Sequence, residues 1–259
     1  MAERETGPYP DEEVERGLVV VAHPDDIDFG AAGTIAGWTD AGIAVTYLLA
    51  TTGDAGGFDD AVVRSDLPAM RQAEQRTAAA VVGVTDVRFL GHPGPDGQPN
   101  GDLQPDGFVE VTAALRRDIS RVIRRVRPQR VLTTSPEWYL ERMPACHPDH
   151  MHTGEATLRA VYPDARNPYA HVELLREEGL APWTVREIWI QAGRATNHVV
   201  DVTANLDRKM AALSAHTSQF PDGFAPVEEL VRDWMAVTAA EAGLPAGSAA
   251  ETFDVHRID

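Results

Sequence analysis

The chain predicts an α/β fold: a mostly parallel central sheet with helices on both of its faces. Three observations carry that reading. The first apolar run, Gly17-Leu18-Val19-Val20-Val21-Ala22, is short, continuous and valine-rich, the pattern of a parallel strand buried on both faces. Strand-like and helix-like runs then alternate, as they do in β-α-β units. At 259 residues, 43% of them hydrophobic, the chain can bury a large core as one domain.

Residues 1–16, which include Gly7-Pro8-Tyr9-Pro10 and Asp11-Glu12-Glu13, read as a flexible acidic lead-in, and 17–259 as the single domain. After the strand at 17–22, Gly30-Ala31-Ala32-Gly33 opens a helix whose small side chains allow close packing, and Ala41-Gly42 closes it. Ile43 to Ala50 is a second strand, and Thr51 to Gly57 a loop. Residues 69–82 form a helix ending at Gly83, and 87–90 a third strand before the Gly/Pro-rich stretch 91–101. Between Val109 and Val126 the apolar residues Val111, Leu115, Ile119, Val122 and Val126 recur at near-helical spacing, with Arg116, Arg117, Arg121, Arg124 and Arg125 forming the solvated face.

Arg130 to Thr134 is a fourth strand, 135–146 a loop, and Pro148 suits the first turn of a helix running to Val161. That places His147 at a helix start and His150 one turn in. Residues 162–182 hold three prolines and read as an irregular excursion; 185–190 and 198–202 are further strands, and 206–215 and 227–242 helices. The resulting architecture is Rossmann-like, with ligands expected at the C-terminal ends of the strands.

The formal net charge of −17 argues against nucleic acid or an anionic membrane as partner. No run approaches the roughly 18 apolar residues of a membrane span. The N-terminus lacks the basic start and apolar stretch of a secretory signal, so the expected location is cytoplasmic. Cys146 is the single cysteine, which excludes an intrachain disulfide and any cysteine-only metal site.

The chemistry concentrates in two segments, His23-Pro24-Asp25-Asp26 after the first strand and His147-Pro148-Asp149-His150 after the fourth. His23, Asp26 and His150 would make a His₂-carboxylate set for a catalytic metal with one open position. Asp25 can then lie beside the attacking water as general base. His147, one turn before His150, can serve an oxyanion or a leaving amine, with Asp149 orienting its imidazole. The purely structural alternative makes Asp25 or Asp26 a helix N-cap and His147 a cap or loop contact.

With Ala22 before the first segment and Gly30 after it, these residues resemble the PIG-L/LmbE-like family of metal-dependent N-deacetylases, over residues 18 to about 220. The resemblance implies Zn²⁺, with Fe²⁺ as the other candidate, on His23, Asp26 and His150. It also implies a water activated by Asp25, with His147 and Asp149 serving the tetrahedral intermediate. Arg71 and Glu74 match an Arg and a Glu of the family's second helix. Asp96-Gly97 resembles its Leu-Gly-x-x-Asp-Gly loop, which is longer here, and Asp54 stands where some relatives place an acidic sugar contact. Arg71, Asp96 and Asp54 are thus the substrate-binding candidates, with an exposed salt bridge as the alternative for Arg71. Ile27-Asp28 replaces the Glu that often follows the Asp pair, and His198 lies in a recurrent C-terminal segment of unassigned role.

The implied activity is hydrolysis of the N-acetyl or N-acyl group of an amino sugar or its conjugate, a small-molecule partner; assembly into a homo-oligomer is left open. The alternatives are an amidase of thiol conjugates or antibiotic-type N-acyl compounds, and a non-catalytic metal-dependent sugar-binding module. A dinucleotide oxidoreductase would need a Gly-x-Gly-x-x-Gly turn after the first strand, where this chain has His-Pro-Asp-Asp.

Overall fold

The computed structural model describes residues 7–57 and 62–259, so the first six residues of the acidic lead-in lie outside the described residues. One seven-stranded sheet runs through it in the order β3-β2-β1-β4-β5-β7-β6. Strands β1 (Arg16–Val21), β2 (Ala44–Leu49), β3 (Asp86–Phe89), β4 (Arg130–Thr134) and β5 (Glu187–Gln191) are mutually parallel. Strand β6 (His198–Asp201) and β7 (Ala250–Arg257) complete the sheet, β7 antiparallel to both neighbours. The sequence reading has no strand at 250–257, which alternates buried and partly exposed residues in part and lies beyond the last helix.

Alternation along β1 divides the core. Val19 and Val21 join a cluster with Ile35 of α1 (Asp26–Asp40), Ala78 of α2 (Leu67–Val81) and Ala212 of α6 (Leu206–Ser214). Leu18 and Val20 face the other way, toward Leu115, Ile119 and Val122 of α3 (Ala113–Val126) and Ala156 of α4 (Pro148–Arg159). Helices on both faces explain the uninterrupted valines, since each neighbouring side chain has a core to enter. Short α5 (Val172–Arg176) lies in the excursion after α4, and α7 (Ala225–Glu241) adds Val231 and Met235 to a third cluster with Met210 and Leu213.

Two expectations are corrected. Helix α3 begins at Ala113, capped by the Thr112 hydroxyl accepting from the Leu115 N–H at 3.0 Å, because the backbone at 107–109 is engaged elsewhere. Its arginines are not a solvated face. Arg124 is buried and donates to the carbonyls of Asp164, Ala165, Asn167 and Ala170, while Arg116 forks onto the Asp164 carboxylate and Arg121 onto Glu178. Guanidinium groups with several fixed donors satisfy the carbonyls of an irregular segment that has no ladder of its own, so they fasten residues 164–178 to the sheet. Within 1–16, the described residues dock at the amino end of the sheet: the Tyr9 N–H donates to Glu187 and Asp11 pairs with Arg130 at 2.7 Å.

Chain order places β2 on one side of β1 and β4 on the other, which makes the carboxyl ends of β1 and β4 a topological switch point. His23 follows β1, and the 147–150 segment opens the helix after β4. Gly154 brings α4 against that strand end: a Cβ there would stand 2.1 Å from the Thr134 carbonyl oxygen. The Thr134 hydroxyl donates to the His150 carbonyl at 2.7 Å, fixing the turn that carries the imidazole. Among the described residues, no helix is long and apolar enough to cross a membrane.

Candidate active site

The two segments meet. The imidazole centroids of His23, His147 and His150 lie 5.1 to 5.4 Å from one another. His150 Nε2 is 2.9 Å from Asp26 Oδ1 and 3.2 Å from His23 Nδ1, and His23 Nδ1 is 3.6 Å from Asp26 Oδ2. Ligands at about 2.0–2.1 Å around a tetrahedral zinc stand about 3.3 Å apart. The three expected ligand groups therefore already sit at the edges of such a polyhedron, and the donor set fits a borderline divalent cation.

What orients them is a second ring of carboxylates. His23 Nε2 faces Asp149 Oδ2 at 3.0 Å and Asp106 Oδ1 at 2.9 Å, so that nitrogen carries the proton and Nδ1 is left with its lone pair for a metal. Asp149 is buried and also accepts from the N–H groups of Gly107 and Val109 at 2.7 and 3.0 Å. These bonds are where the backbone before α3 is engaged. The expectation that Asp149 orients the His147 imidazole is thereby corrected: its carboxylate belongs to His23. His147 is held by the Asp149 backbone N–H, which donates to Nδ1 at 3.2 Å and leaves Nε2–H to point elsewhere.

Asp25 takes a left-handed backbone conformation, φ +89°, at the start of α1, and its side chain caps nothing. The carbonyl makes the helix bonds, accepting from Asp28 and Phe29, so the carboxylate is free to face the pocket. Arg71 is buried, not exposed: it donates to Asp25 Oδ2 at 2.9 Å and to the carbonyls of Pro24 and Gly53. Gln75 accepts from the Asp25 N–H at 2.9 Å and donates to Asp28 at 2.9 Å, and Asp28 in turn pairs with buried His216 at 2.8 Å. Sequence reasoning missed Gln75 and His216, which lie far from either motif in the chain. Asp28, noted only as a departure, anchors this support.

The electrostatics follow from packing carboxylates together. Burial pushes the Asp25 carboxyl up to about 6, with Arg71 opposing and Asp26 adding to the rise. For His23, burial disfavours the charge, but the carboxylates of Asp26, Asp106 and Asp149 outweigh it and push the imidazole up to about 12. Burial acts to raise Asp26, yet His150 and His23 hold it well below the usual carboxylate range. His147 is shifted down, first by burial and then by His23.

A cavity of about 620 Å³ opens over this cluster, lined by His23, Asp25, Asp26, Arg71, Asp106, His147 and His150 among others. Asp96 is not among the lining residues. The 93–99 segment folds into a small hairpin, with a Pro93–Pro99 bridge and Gly94 N–H donating to Gln98, that carries Asp96 outward to pair with Arg88 at 3.1 Å. Asp106-Gly107, the other Asp-Gly of this stretch, occupies the site instead. Asp54 is exposed, accepts from Thr52 and also lies outside the lining. His198 stacks edge-on against Trp189, 5.0 Å away, and Cys146 is buried against the Tyr139 backbone.

Two imidazoles and a carboxylate on a switch point, flanked by a further carboxyl group and an imidazole, are the groups that a metal-assisted hydrolase of open α/β architecture uses. Residues 18–161 match the PIG-L family, described as GlcNAc-PI de-N-acetylase, and the chain belongs to that family. It is 32% identical over 213 residues, 82% of this chain and 73% of the relative, to a diacetylchitobiose deacetylase of Thermococcus kodakarensis. It is also 32% identical over 207 residues (78% and 82%) to a probable N-acetyl-α-D-glucosaminyl L-malate deacetylase 2 of Bacillus cereus. Among solved structures, the N,N'-diacetylchitobiose deacetylase of Pyrococcus horikoshii, complexed with an inhibitor, superposes with a TM-score of 0.83 at 26% identity, over 96% of this chain and 86% of that one.

Proposed function

We propose that this chain removes the N-acetyl group from an amino sugar or its conjugate, using Zn²⁺ or Fe²⁺ held by His23, Asp26 and His150. The convergence of His23 Nδ1, Asp26 and His150 Nε2 opposite Asp25 and His147 carries the reading. When bound, the metal supplies Lewis acidity toward the amide carbonyl and acidity to the attacking water. Asp25 accepts the proton of that water and delivers it to the amide nitrogen, which leaves as the free amine while the acyl group departs as acetate.

Arg71 holds the Asp25 carboxylate in line and favours its ionised form against burial. His147, neutral with its proton on Nε2, donates to the oxygen on which charge develops. Asp149 and Asp106 hold the His23 ring through Nε2 and raise the donor strength of Nδ1. Acetate release from N-acetylglucosamine glycosides by the metal-loaded protein, with metal content measured in parallel, tests the assignment. A loaded protein that leaves every N-acetyl and N-acyl amino sugar of a panel intact overturns it.

A further inference from the structure

Beside the catalytic pocket lies a second cavity of about 580 Å³, and the two share Phe29, Gly30, Arg142, Ala192 and Trp234 in their linings. Nothing in the catalytic chemistry uses it. Its far side is formed by α7, which contributes Val237 and Thr238, and by β6 and β7, which contribute Val199 and Thr252. The Arg142 guanidinium lies over the Trp234 ring at 5.1 Å, at the junction of the two cavities.

The charge of this lining is unlike that of the chain. Lys209 is fully buried and neutralised by Glu251 at 2.7 Å, with a further bond to the Phe29 carbonyl. Arg142 and Arg194 have no carboxylate within salt-bridge distance among the described residues, and Arg194 makes no side-chain hydrogen bond there. Glu241, exposed at the end of α7, is the remaining carboxylate of the lining. One more positive than negative side chain thus faces this space, in a chain whose net charge is −17. The general field opposes a free anion, so the exposed guanidinium groups of Arg142 and Arg194 suit an anion carried there on a larger molecule that the catalytic pocket already holds. An aromatic face under a guanidinium offers the rest of that molecule a stacking platform.

We infer that the second cavity is a binding site for a carboxylate or phosphate carried on the group to which the amino sugar is attached, read by Arg194 and Arg142 and stacked on Trp234. The inference rests on the deacetylase reading for the direction in which the substrate lies. Binding of three glucosamine glycosides, methyl, carboxymethyl and 2-phosphoethyl, measured by calorimetry at low salt, tests it, and the two anionic arms distinguish carboxylate from phosphate.

The wild-type protein should bind at least one anionic glycoside about 10- to 100-fold more tightly than the methyl glycoside, the range of a charge-assisted hydrogen bond. The Arg142→Gln/Arg194→Gln variant should lose that preference, and the single Arg194→Gln variant most of it. Equal binding of all three, binding of none, or a preference undiminished in the double variant overturns the inference. Turnover of the matching N-acetyl glycosides separates the two readings. Hydrolysis without anion preference leaves the deacetylase standing and removes the anion site; anion preference with no hydrolysis does the reverse.

Discussion

The two ends of the central strands each bury a cluster of charge, and they are built on opposite plans. At the amino end, fully buried Arg130 pairs with Glu187 and with Asp11, donates to the Tyr9 carbonyl, and lies between the rings of Trp38 and Trp189 at 4.7 and 4.8 Å. Glu187 also accepts from Tyr9 and Trp189, so both of its carboxylate oxygens are engaged. At the carboxyl end, four carboxylates, Asp25, Asp26, Asp106 and Asp149, share one guanidinium and a group of imidazoles. Four of the ten buried side-chain polar atoms without partners among the described residues lie on residues around them, Arg71, Asp28, His216 and Gln191. The cluster around Arg130 has no unpartnered buried atom among the described residues; the one at the carboxyl end leaves donors and acceptors for something that binds.

That contrast can be broken from either side. The largest effect is expected at the incomplete end. His150→Ala should lose both metal and turnover, and chelation of the wild type should reproduce the loss reversibly. Metal at a thousand times its Kd should raise the stability of the wild type by about 4 kcal/mol through mass action, and that of the variant hardly at all. Next, Asp25→Asn should lower kcat by about 10²- to 10⁴-fold with metal content unchanged, the range for loss of a general base; parallel loss of metal would instead make Asp25 a ligand.

At the complete end, Glu187→Gln should cost about 3–5 kcal/mol in chemical denaturation, because it leaves the Arg130 charge buried and underpaired. Its kcat per folded molecule should stay at the wild-type value. Asp149→Asn sharpens the comparison at smaller scale: metal affinity should fall about 10- to 100-fold, as the ring of His23 loses its orienting carboxylate.

The smallest effect concerns His216. Burial opposes its charge, but Asp28 outweighs burial and raises the imidazole above its ordinary 6.5. A raised histidine stabilises the fold fully below the unfolded value and loses that contribution as pH climbs from there through the folded one. The difference in Tm between wild type and His216→Gln should therefore be widest near pH 6 and narrow toward pH 9. A constant difference would assign the residue to packing alone.

Six of the seven strands and the two metal-like segments were legible because periodicity and strand-end placement are local signals. The division of roles between Asp25 and Asp26 rests on the ligand set and the family resemblance, and the Asp25→Asn experiment tests it. Asp106 was not legible. Two Asp-Gly pairs lie ten residues apart in one loop; the Pro93–Pro99 hairpin turns the first outward, and contacts of Asp106 with the distant Ala55 N–H and His23 hold the second inward. The arginines of α3 misled for a related reason: helical spacing marks the face opposite the core but not the irregular segment that later covers it. Gln75 and His216 carry no motif, since their role depends on where α2 and the segment after α6 pack.

The left-handed backbone at Asp25 sets up a conflict between two kinds of selection. A non-glycine residue in that region costs about 1–3 kcal/mol; Asp25→Gly relieves it but strips buried Arg71 of its carboxylate, whereas Asp25→Asn, which tolerates that backbone better and keeps an acceptor for Arg71, should hold or raise the melting temperature. A library screened only for heat resistance should therefore drift toward asparagine at this position and accumulate well-folded, inert molecules. One screened for turnover should hold aspartate there and gather its stabilising changes at a distance from the site.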